Sequence, residues 1–396
     1  MDSFRLYTPT EMIFGLQAEE RVGETARRYG TNALLVYGGG SVVKSGLLAR
    51  VEASLTQAGI QFHEFGGAKP NPTLAHAEEG VQEALRIGAD LIIGIGGGSA
   101  IDTAKAIAHG AANPTQSLWD IWTQKVPLTV SLPVGAVLTI PAAGSEMSDS
   151  AVLTNEAIGK KAGINTDYNR CRFAIVNPSL GATLPVWQLA AGVTDIMMHT
   201  MERYFIPGSA CDLTDEIAEG LLRTMITNGA RIVEDPTDIH AMSEVFWASS
   251  LSHNDLTGCG RGKDFSVHKL GHALSARYDV THGASLSAVW GAWAETLAPD
   301  CMCRFARFAR KVWGVTATDD VVAVREGIRR TVRFFHSLGM PVNLEELHLH
   351  ITEEDIRALA MDATMQDTVR LSRIRPLDAA AVEQIYQAAM AYGDPS

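Results

Sequence analysis

Residues 90–105, DLIIGIGGGSAIDTAK, decide the fold of the first half of the chain. The apolar run at 90–95 is typical of a strand buried on both faces. Three glycines and a serine follow at 96–99, and a helix is predicted from Ile101 to His109. This stretch is therefore a strand, a glycine-rich turn and a helix in succession.

The same succession recurs upstream. An apolar run at 33–37 ends at Gly38, Gly39, Gly40 and Ser41, and a helical pattern then runs to Gly59. A strand is predicted at 60–65 and a helix at 74–87, with Gly88 as its C-cap. Strands separated by helices of this length pair in parallel through right-handed crossovers. Residues 1–183 are therefore predicted to form a Rossmann-like α/β domain.

Further strands of this domain are predicted in two places, around a set of five apolar residues between 130 and 140 and at 174–176. The five are Val130, Leu132, Val134, Val137 and Ile140. The loop at 139–148, TIPAAGSEMS, follows one of these strands. It is either a plain crossover loop or a third loop at the sheet edge that closes a dinucleotide crevice.

The glycine loop GIGGGS at 94–99 is a candidate phosphate site. Glycines let the backbone approach an anion, and Ser99 could cap the next helix while backbone N–H groups face a phosphate. The alternative is a tight turn without a ligand. Because no Lys-Ser/Thr pair follows, nucleoside triphosphate hydrolysis is disfavoured.

Asp102 and Lys105 follow three residues apart on the predicted helix. They form either a surface ion pair worth under about 1 kcal/mol or, for Asp102, a side chain beside the cofactor. The sequence leaves both readings open.

The second half, 184–396, has a helical pattern broken by prolines and carries a cluster of candidate metal ligands. Asp195 and His199 stand four apart in GVTDIMMHTMER, as do His268 and His272 in HKLGHALSARYDVTHG, where His282 follows. Residues four apart share one face of a helix. Imidazoles and a carboxylate suit a divalent first-row metal. The alternative is buried core histidines, and spacing leaves open whether His272 is a ligand or a titrating neighbour.

Composition bounds the class of protein. The 396 residues exceed what one core usually serves, so two domains, 1–183 and 184–396, are expected. A net charge of −12 without a basic patch disfavours nucleic acid, and no long apolar run indicates a membrane span. The N-terminus lacks a signal-peptide pattern, and five cysteines without CxxC spacing indicate reduced thiols. A cytoplasmic enzyme fits these features.

Six motifs together resemble the iron-containing alcohol dehydrogenase family, in its branch of butanol dehydrogenases and NADPH-dependent aldehyde reductases. They are FGxxxxxxxG at 14–23, PNP at 70–72, GGGSxxDxxK at 96–105, GSE at 144–146, DxxxH at 195–199 and HxxxHxxxxxxxxxHG at 268–283. The resemblance spans nearly the whole chain. It implies a Rossmann-like domain followed by an all-helical metal domain, the layout also of dehydroquinate synthase.

The resemblance also implies roles for individual residues. Asp195, His199, His268 and His282 would hold Fe²⁺, although Zn²⁺ also suits these ligands, and His272 would adjoin the nicotinamide as a proton relay. Asp102 is taken as a second candidate catalytic residue. The implied cofactor contacts are Gly38, Gly39, Ser41, Asn71, Gly97, Gly98, Ser99, Asp102, Thr139, Ser145 and Lys161.

The expected reaction moves a hydride between NAD(P)(H) and a primary alcohol or aldehyde, in a homodimer. No acidic residue occurs at 38–41 to reject a ribose 2′-phosphate, so NADP(H) is favoured over NAD(H). Asn177 departs from the aspartate expected there. The alternatives are a metal- and NAD-dependent lyase like dehydroquinate synthase, a metal-dependent hydrolase and a non-enzymatic binding module. The dehydrogenase reading requires the metal and cofactor sites to face each other across one cleft.

Overall fold

The structure is a computed structural model that describes residues 1–208 and 210–393. The chain divides into two compact units: Tyr7–Thr183, and the part from Leu184 onward together with Met1–Leu6. The first unit contains a parallel sheet and the second is helical, as the sequence predicts. Among the described helices, none has the length and apolar character to cross a membrane.

The first unit is built on a six-stranded parallel sheet in the order β1-β8-β5-β4-β2-β3. Its strands are β1 (Glu11–Phe14), β2 (Asn32–Tyr37), β3 (Gln61–Phe65), β4 (Leu91–Gly96), β5 (Val134–Leu138) and β8 (Phe173–Val176), and an antiparallel hairpin adds β6 (Ser150–Asn155) and β7 (Lys160–Asn165). The helices are α1 (Val22–Ala26), α2 (Ser41–Lys44), α3 (Leu47–Gln57), α4 (Leu74–Ile87), α5 (Gly98–Ala112) and α6 (Leu118–Trp122). Every residue of β4, β5 and β8 is buried, which explains their unbroken apolar runs.

Most predicted elements of this unit are confirmed. Helix α4 has the predicted bounds, and Gly88 ends it in the left-handed region at φ 65°. The predicted cap of α5 is wrong: the helix begins at Gly98 with Gly97 as N-cap, so Ser99 lies inside the first turn.

The predicted strands around β5 are partly wrong. Val130, Leu132 and Ile140 lie outside the strand, while Val134 and Val137 lie within it. Pro133 immediately precedes β5, and proline cannot donate a ladder hydrogen bond. The hairpin of β6 and β7 was not predicted, since polar residues interrupt both strands and neither has a continuous apolar run.

The second unit packs helices around a buried core. They are α7 (Val186–Tyr204), α8 (Asp212–Thr224), α9 (Ala230–Glu234), α10 (Ile239–Ser252), α11 (Ser266–Tyr278), α12 (His282–Leu297), α13 (Met302–Lys311), α14 (Asp320–Ser337), α15 (Glu353–Ala363) and α16 (Ala379–Met390). A π-helical turn, Met225–Gly229, joins α8 to α9. Helix α7 is buried on all sides from Leu189 to Tyr204 and contacts α8, α10, α11 and α12.

Asn177, which stands where the family resemblance implies an aspartate, is buried immediately after β8. Its amide donates to Glu19 Oε2 at 2.8 Å, and its Oδ1 accepts from Ser179.

We expect Asn177→Asp to lower the free energy of unfolding by about 1–3 kcal/mol, because the new carboxylate would face the buried carboxylate of Glu19 and would have no N–H to donate to it. Asn165→Asp is the matched control, since Asn165 also donates to a carboxylate, that of Asp149, but in an exposed pair. Urea unfolding measures both, and equal losses would contradict the explanation.

Candidate metal centre and dinucleotide-binding loops

Helix α7 presents the first two candidate ligands. Asp195 and His199 are both buried and lie one turn apart, with His199 Nδ1 at 3.4 Å from Asp195 Oδ1. Charged side chains are seldom fully buried without a partner or a metal. The burial of a carboxylate and an imidazole one turn apart therefore marks this part of α7 as a candidate functional site.

Helices α11 and α12 bring two further imidazoles to the same carboxylate oxygen. His268 Nε2 lies 3.4 Å and His282 Nε2 lies 3.6 Å from Asp195 Oδ1. Among the described residues, Asp195, His268 and His282 form a group whose ligand atoms all lie within 4.8 Å of one another. Residues separated by up to 87 positions thus converge on one point.

The geometry of this group fits a metal ion. Bonds of about 2.0–2.1 Å in a tetrahedral site place neighbouring ligand atoms about 3.4 Å apart, which matches the distances of 3.4 and 3.6 Å from Asp195 Oδ1 to His268 Nε2 and His282 Nε2. Asp195 Oδ1 and His268 Nε2 are buried without a hydrogen bond from any described residue. Such atoms are costly to bury unless a further group engages them.

His199 adjoins this group of three, and its Nδ1 lies as far from Asp195 Oδ1, 3.4 Å, as His268 Nε2 does. Its ring stacks on His268 at 4.5 Å and meets His253 edge-on at 4.0 Å. Burial and the neighbouring His253 and His268 hold the pKa of His199 well below its usual value, so its imidazole is neutral and able to bind a metal. His253 follows α10 in a loop, where no periodic signal distinguishes it in the sequence.

Glu202 is a functional candidate that the sequence reasoning missed. Its carboxylate is buried and accepts hydrogen bonds from His268 Nδ1 and from Val267 N, the latter at 2.6 Å. Burial raises the pKa of Glu202 against the opposing charge of His268. Burial alone would lower the pKa of His268, but Glu202 and Asp195 raise it to about 9. The signal was present in the spacing, because positions 195, 199 and 202 share one face of a helix.

His272 lies beside the group on α11. Its ring centroid is 5.2 Å from that of His282 and 6.1 Å from that of His268. The side chain is half-buried. It therefore adjoins the candidate ligands while lying outside the group of three.

The candidate phosphate loops meet at the carboxyl edge of the sheet. Residues 38–41 follow β2, Gly97 and Gly98 follow β4, and Thr139 follows β5, and these three strands are neighbours. The chain passes from β2 outward to β3 and then returns to β4 on the other side of β2. Such a reversal of strand order is where dinucleotides bind in open α/β sheets.

Close packing between loops explains part of the glycine run. A Cβ on Gly97 would lie 3.0 Å from Ile140 Cδ1, and one on Gly98 would lie 2.9 Å from Ala143 Cβ. Gly39, by contrast, has open space where its Cβ would be. Gly97 and Gly98 thus let the loop at 139–148 approach the N-terminus of α5, whose first N–H groups have no acceptor within the helix.

Asp102 and Lys105 do not form a surface ion pair; that alternative is wrong. Lys105 is fully buried and its Nζ donates to Ser145 O at 2.7 Å, Ser145 Oγ at 2.9 Å and Ser150 O at 2.8 Å. Asp102 accepts from Ser145 Oγ at 2.6 Å and from Val152 N at 2.9 Å, and burial raises its pKa. Both side chains therefore tie α5 to the GSE loop and to β6.

Asn71 and Lys161 also lie together, although ninety residues separate them. Lys161 Nζ donates to Asn71 Oδ1 at 2.8 Å, and Asn71 has a φ of 57°. Thr154 N donates to Pro72 O at 2.8 Å. The hairpin of β6 and β7 is thereby held against the PNP loop, and a cation comes to the same edge as the glycine loops.

Known proteins resemble the chain over its whole length. A model described as iron-containing alcohol dehydrogenase matches residues 9–178, and one described as Fe-containing alcohol dehydrogenase family, C-terminal, matches residues 189–390. NADH-dependent butanol dehydrogenase A of Clostridium acetobutylicum is 36% identical over 98% of this chain and 99% of its own. The NADPH-dependent aldehyde reductase YqhD of Escherichia coli is 34% identical over 88% and 90%.

The fold of the chain is also similar to that of a solved structure. NADH-dependent butanol dehydrogenase A from Thermotoga maritima has a TM-score of 0.94 at 33% identity, covering 98% of this chain and 99% of its own. The chain therefore belongs to the iron-containing alcohol dehydrogenase family.

Proposed function

We propose that the protein is a metal-dependent alcohol dehydrogenase or aldehyde reductase that transfers a hydride between NAD(P)(H) and a primary alcohol or aldehyde. The observation that carries the proposal is the convergence of Asp195, His268 and His282 within 4.8 Å in the helical unit. Relatives named as butanol dehydrogenase and aldehyde reductase support the same reaction.

The proposed metal ligands are Asp195, His199, His268 and His282. A divalent ion held there would supply a Lewis acid that polarises the substrate oxygen. Fe²⁺ is our first candidate and Zn²⁺ the second, because one carboxylate with three imidazoles suits either. The position of His199 supports its role, since its Nδ1 lies 3.4 Å from Asp195 Oδ1.

The proposed cofactor site uses the glycine loops and their neighbours at the sheet edge. Backbone N–H groups at 97–99 would bind the diphosphate, and Asn71 and Lys161 would add an amide and a cation. Asp102 would act by holding the GSE loop in place, because both of its oxygens already accept hydrogen bonds. His272 is the proposed proton relay, since it lies beside two of the candidate ligands and is only half-buried.

Cofactor oxidation with simple aldehydes tests the proposed function. The full chain is stripped of metal, reloaded with Fe²⁺ or Zn²⁺, and assayed with aldehydes of increasing length and either NADPH or NADH. We expect net oxidation of the nicotinamide, which falls to background in the metal-free enzyme. A lyase like dehydroquinate synthase would cycle its cofactor without net oxidation, and a hydrolase would leave it unchanged, so either result would overturn the proposal.

NADP(H) is the cofactor that we propose as preferred. Residues 38–46, GGGSVVKSG, contain no acidic side chain, and Lys44 Cε lies 3.6 Å from where a Cβ on Gly40 would sit. In dinucleotide-binding folds, an acidic residue near the ribose selects NAD by pairing with its 2′-hydroxyl. A loop with a cation and no carboxylate favours the 2′-phosphate instead.

Gly39→Asp tests this preference. The open space at Gly39 accommodates the new side chain. We expect kcat/KM for NADPH to fall about 10- to 100-fold, because a carboxylate beside the 2′-phosphate repels it, while kcat/KM for NADH is kept. Gly39→Asn is the uncharged control of equal size. Equal losses with both cofactors would contradict the assignment.

We also propose a homodimer. Strand β1 lies at the edge of the sheet, and its last residue, Phe14, and Leu16 just after it are exposed. An exposed edge strand with apolar side chains is a surface that a second chain can cover. Light scattering on the full chain after gel filtration should give twice the mass of 42.6 kDa, and a monomer at micromolar concentration would refute the proposal.

A further inference from the structure

We propose that Glu202 is the positioning residue that fixes the tautomer and orientation of His268 for metal binding. This inference rests on the proposed function, because it takes His268 as a metal ligand. Glu202 is fully buried, and its Oε2 accepts a hydrogen bond from His268 Nδ1. The opposite ring nitrogen, Nε2, lies 3.4 Å from Asp195 Oδ1.

The carboxylate determines which nitrogen can bind a metal. An ionised glutamate only accepts hydrogen bonds, so the His268 nitrogen that faces it must carry a proton. In a neutral imidazole the other nitrogen then has the free lone pair. Glu202 therefore directs the lone pair of Nε2 toward the candidate metal group.

The same carboxylate also fixes the helix that carries His268. Glu202 Oε1 accepts from Val267 N at 2.6 Å and from His268 N at 3.4 Å, in the first turn of α11. The N-cap of α11, Phe265, makes no side-chain hydrogen bond and has a φ of 61°. Asp264 accepts from Ser266 N at 2.9 Å, and Glu202 supplies from α7 the acceptor for the next two N–H groups, where a negative charge also suits the helix dipole.

Helix α7 makes this arrangement rigid. Asp195 and Glu202 are seven residues apart, two turns along one face of a buried helix. The first contributes an oxygen to the metal group, and the second orients the imidazole that completes it. Carboxylates that hold a metal-binding histidine in this way change metal affinity about 10- to 100-fold when replaced.

Glu202→Gln in the full chain tests the role. A glutamine can accept from His268 Nδ1 or from the two amide N–H groups of α11, but not from both, because one of its ends is a donor. We expect the dissociation constant for Co²⁺, titrated into the metal-free protein, to rise about 10- to 100-fold, with an altered visible absorption spectrum of the bound Co²⁺.

Glu219→Gln is the matched control. Glu219 is also fully buried in the helical unit, but it accepts from Tyr204 Oη at 2.8 Å and from Arg307 Nε at 2.6 Å. This change should lower stability and leave the Co²⁺ affinity within about twofold of wild type. A Glu202→Gln protein with wild-type affinity and spectrum would overturn the inference while leaving the proposed function intact.

Two further measurements on the wild-type chain cover the case in which Glu202→Gln does not fold. A crystal structure of the Zn²⁺-loaded protein should show Zn²⁺ on His268 Nε2 and Glu202 on Nδ1; Zn²⁺ on Nδ1 would overturn the inference alone. A wild-type protein that binds no Co²⁺ at this group would overturn the inference and the proposed function together.

Discussion

His268→Ala should remove the bound metal and the turnover together. His268 is one of three residues whose ligand atoms lie within 4.8 Å of one another, and only Asp195 and His282 would remain in that group, with His199 beside it. A Lewis acid contributes several kcal/mol to the transition state, so we expect kcat/KM to fall at least about 10³-fold. Metal content by mass spectrometry and cofactor oxidation on the same preparation measure both effects. Full metal occupancy in this variant would refute the ligand assignment.

His272→Ala is the companion variant, four residues along the same helix. Since His272 lies outside the group of three, the metal content should be unchanged. Loss of a proton relay should lower kcat about 10²-fold. Loss of metal in this variant would instead make His272 a ligand, and an unchanged kcat would remove it from the proton path.

Gly283→Ala should destabilise the fold and the metal group at once. A Cβ on Gly283 would lie 2.2 Å from the carbonyl oxygen of Ala191 and 2.7 Å from its Cα, both in the backbone of α7. Because a helix backbone cannot yield as a side chain tip can, α12 would have to move away from α7, and His282 at its first position would move with it. We expect a loss of about 3 kcal/mol in the free energy of unfolding and weaker Co²⁺ binding.

Gly220→Ala is the control for this substitution. Gly220 lies in α8, and the nearest atom to its Cβ position is Arg223 Nη2 at 3.9 Å. Alanine is favoured over glycine in a helix by about 1 kcal/mol, so this variant should be slightly more stable than wild type. A Gly283→Ala protein that matches wild type in thermal unfolding and in Co²⁺ affinity would refute the explanation that Gly283 is required because α7 leaves no room for a side chain.

Local patterns predicted the elements that depend on local physics. Continuous apolar runs predicted β2, β4 and β8 because strands buried on both faces need no polar alternation. Glycine after such a run predicted the turns at the sheet edge. The spacing of four placed Asp195 beside His199 because the period of a helix is itself a local property.

Folding alone brought together the partners that lie far apart in the chain. The hydrogen bond between Glu202 and His268 spans 66 residues, and that between Asp102 and Ser145 spans 43. No periodic pattern reveals such pairs, so Asp102 could be read as a surface group. The helical spacing places Glu202 on the face of Asp195, but only folding brings His268 to it. Both carboxylates are buried because packed helices or loops deliver donors to them, and burial without those donors would cost more than the fold could sustain.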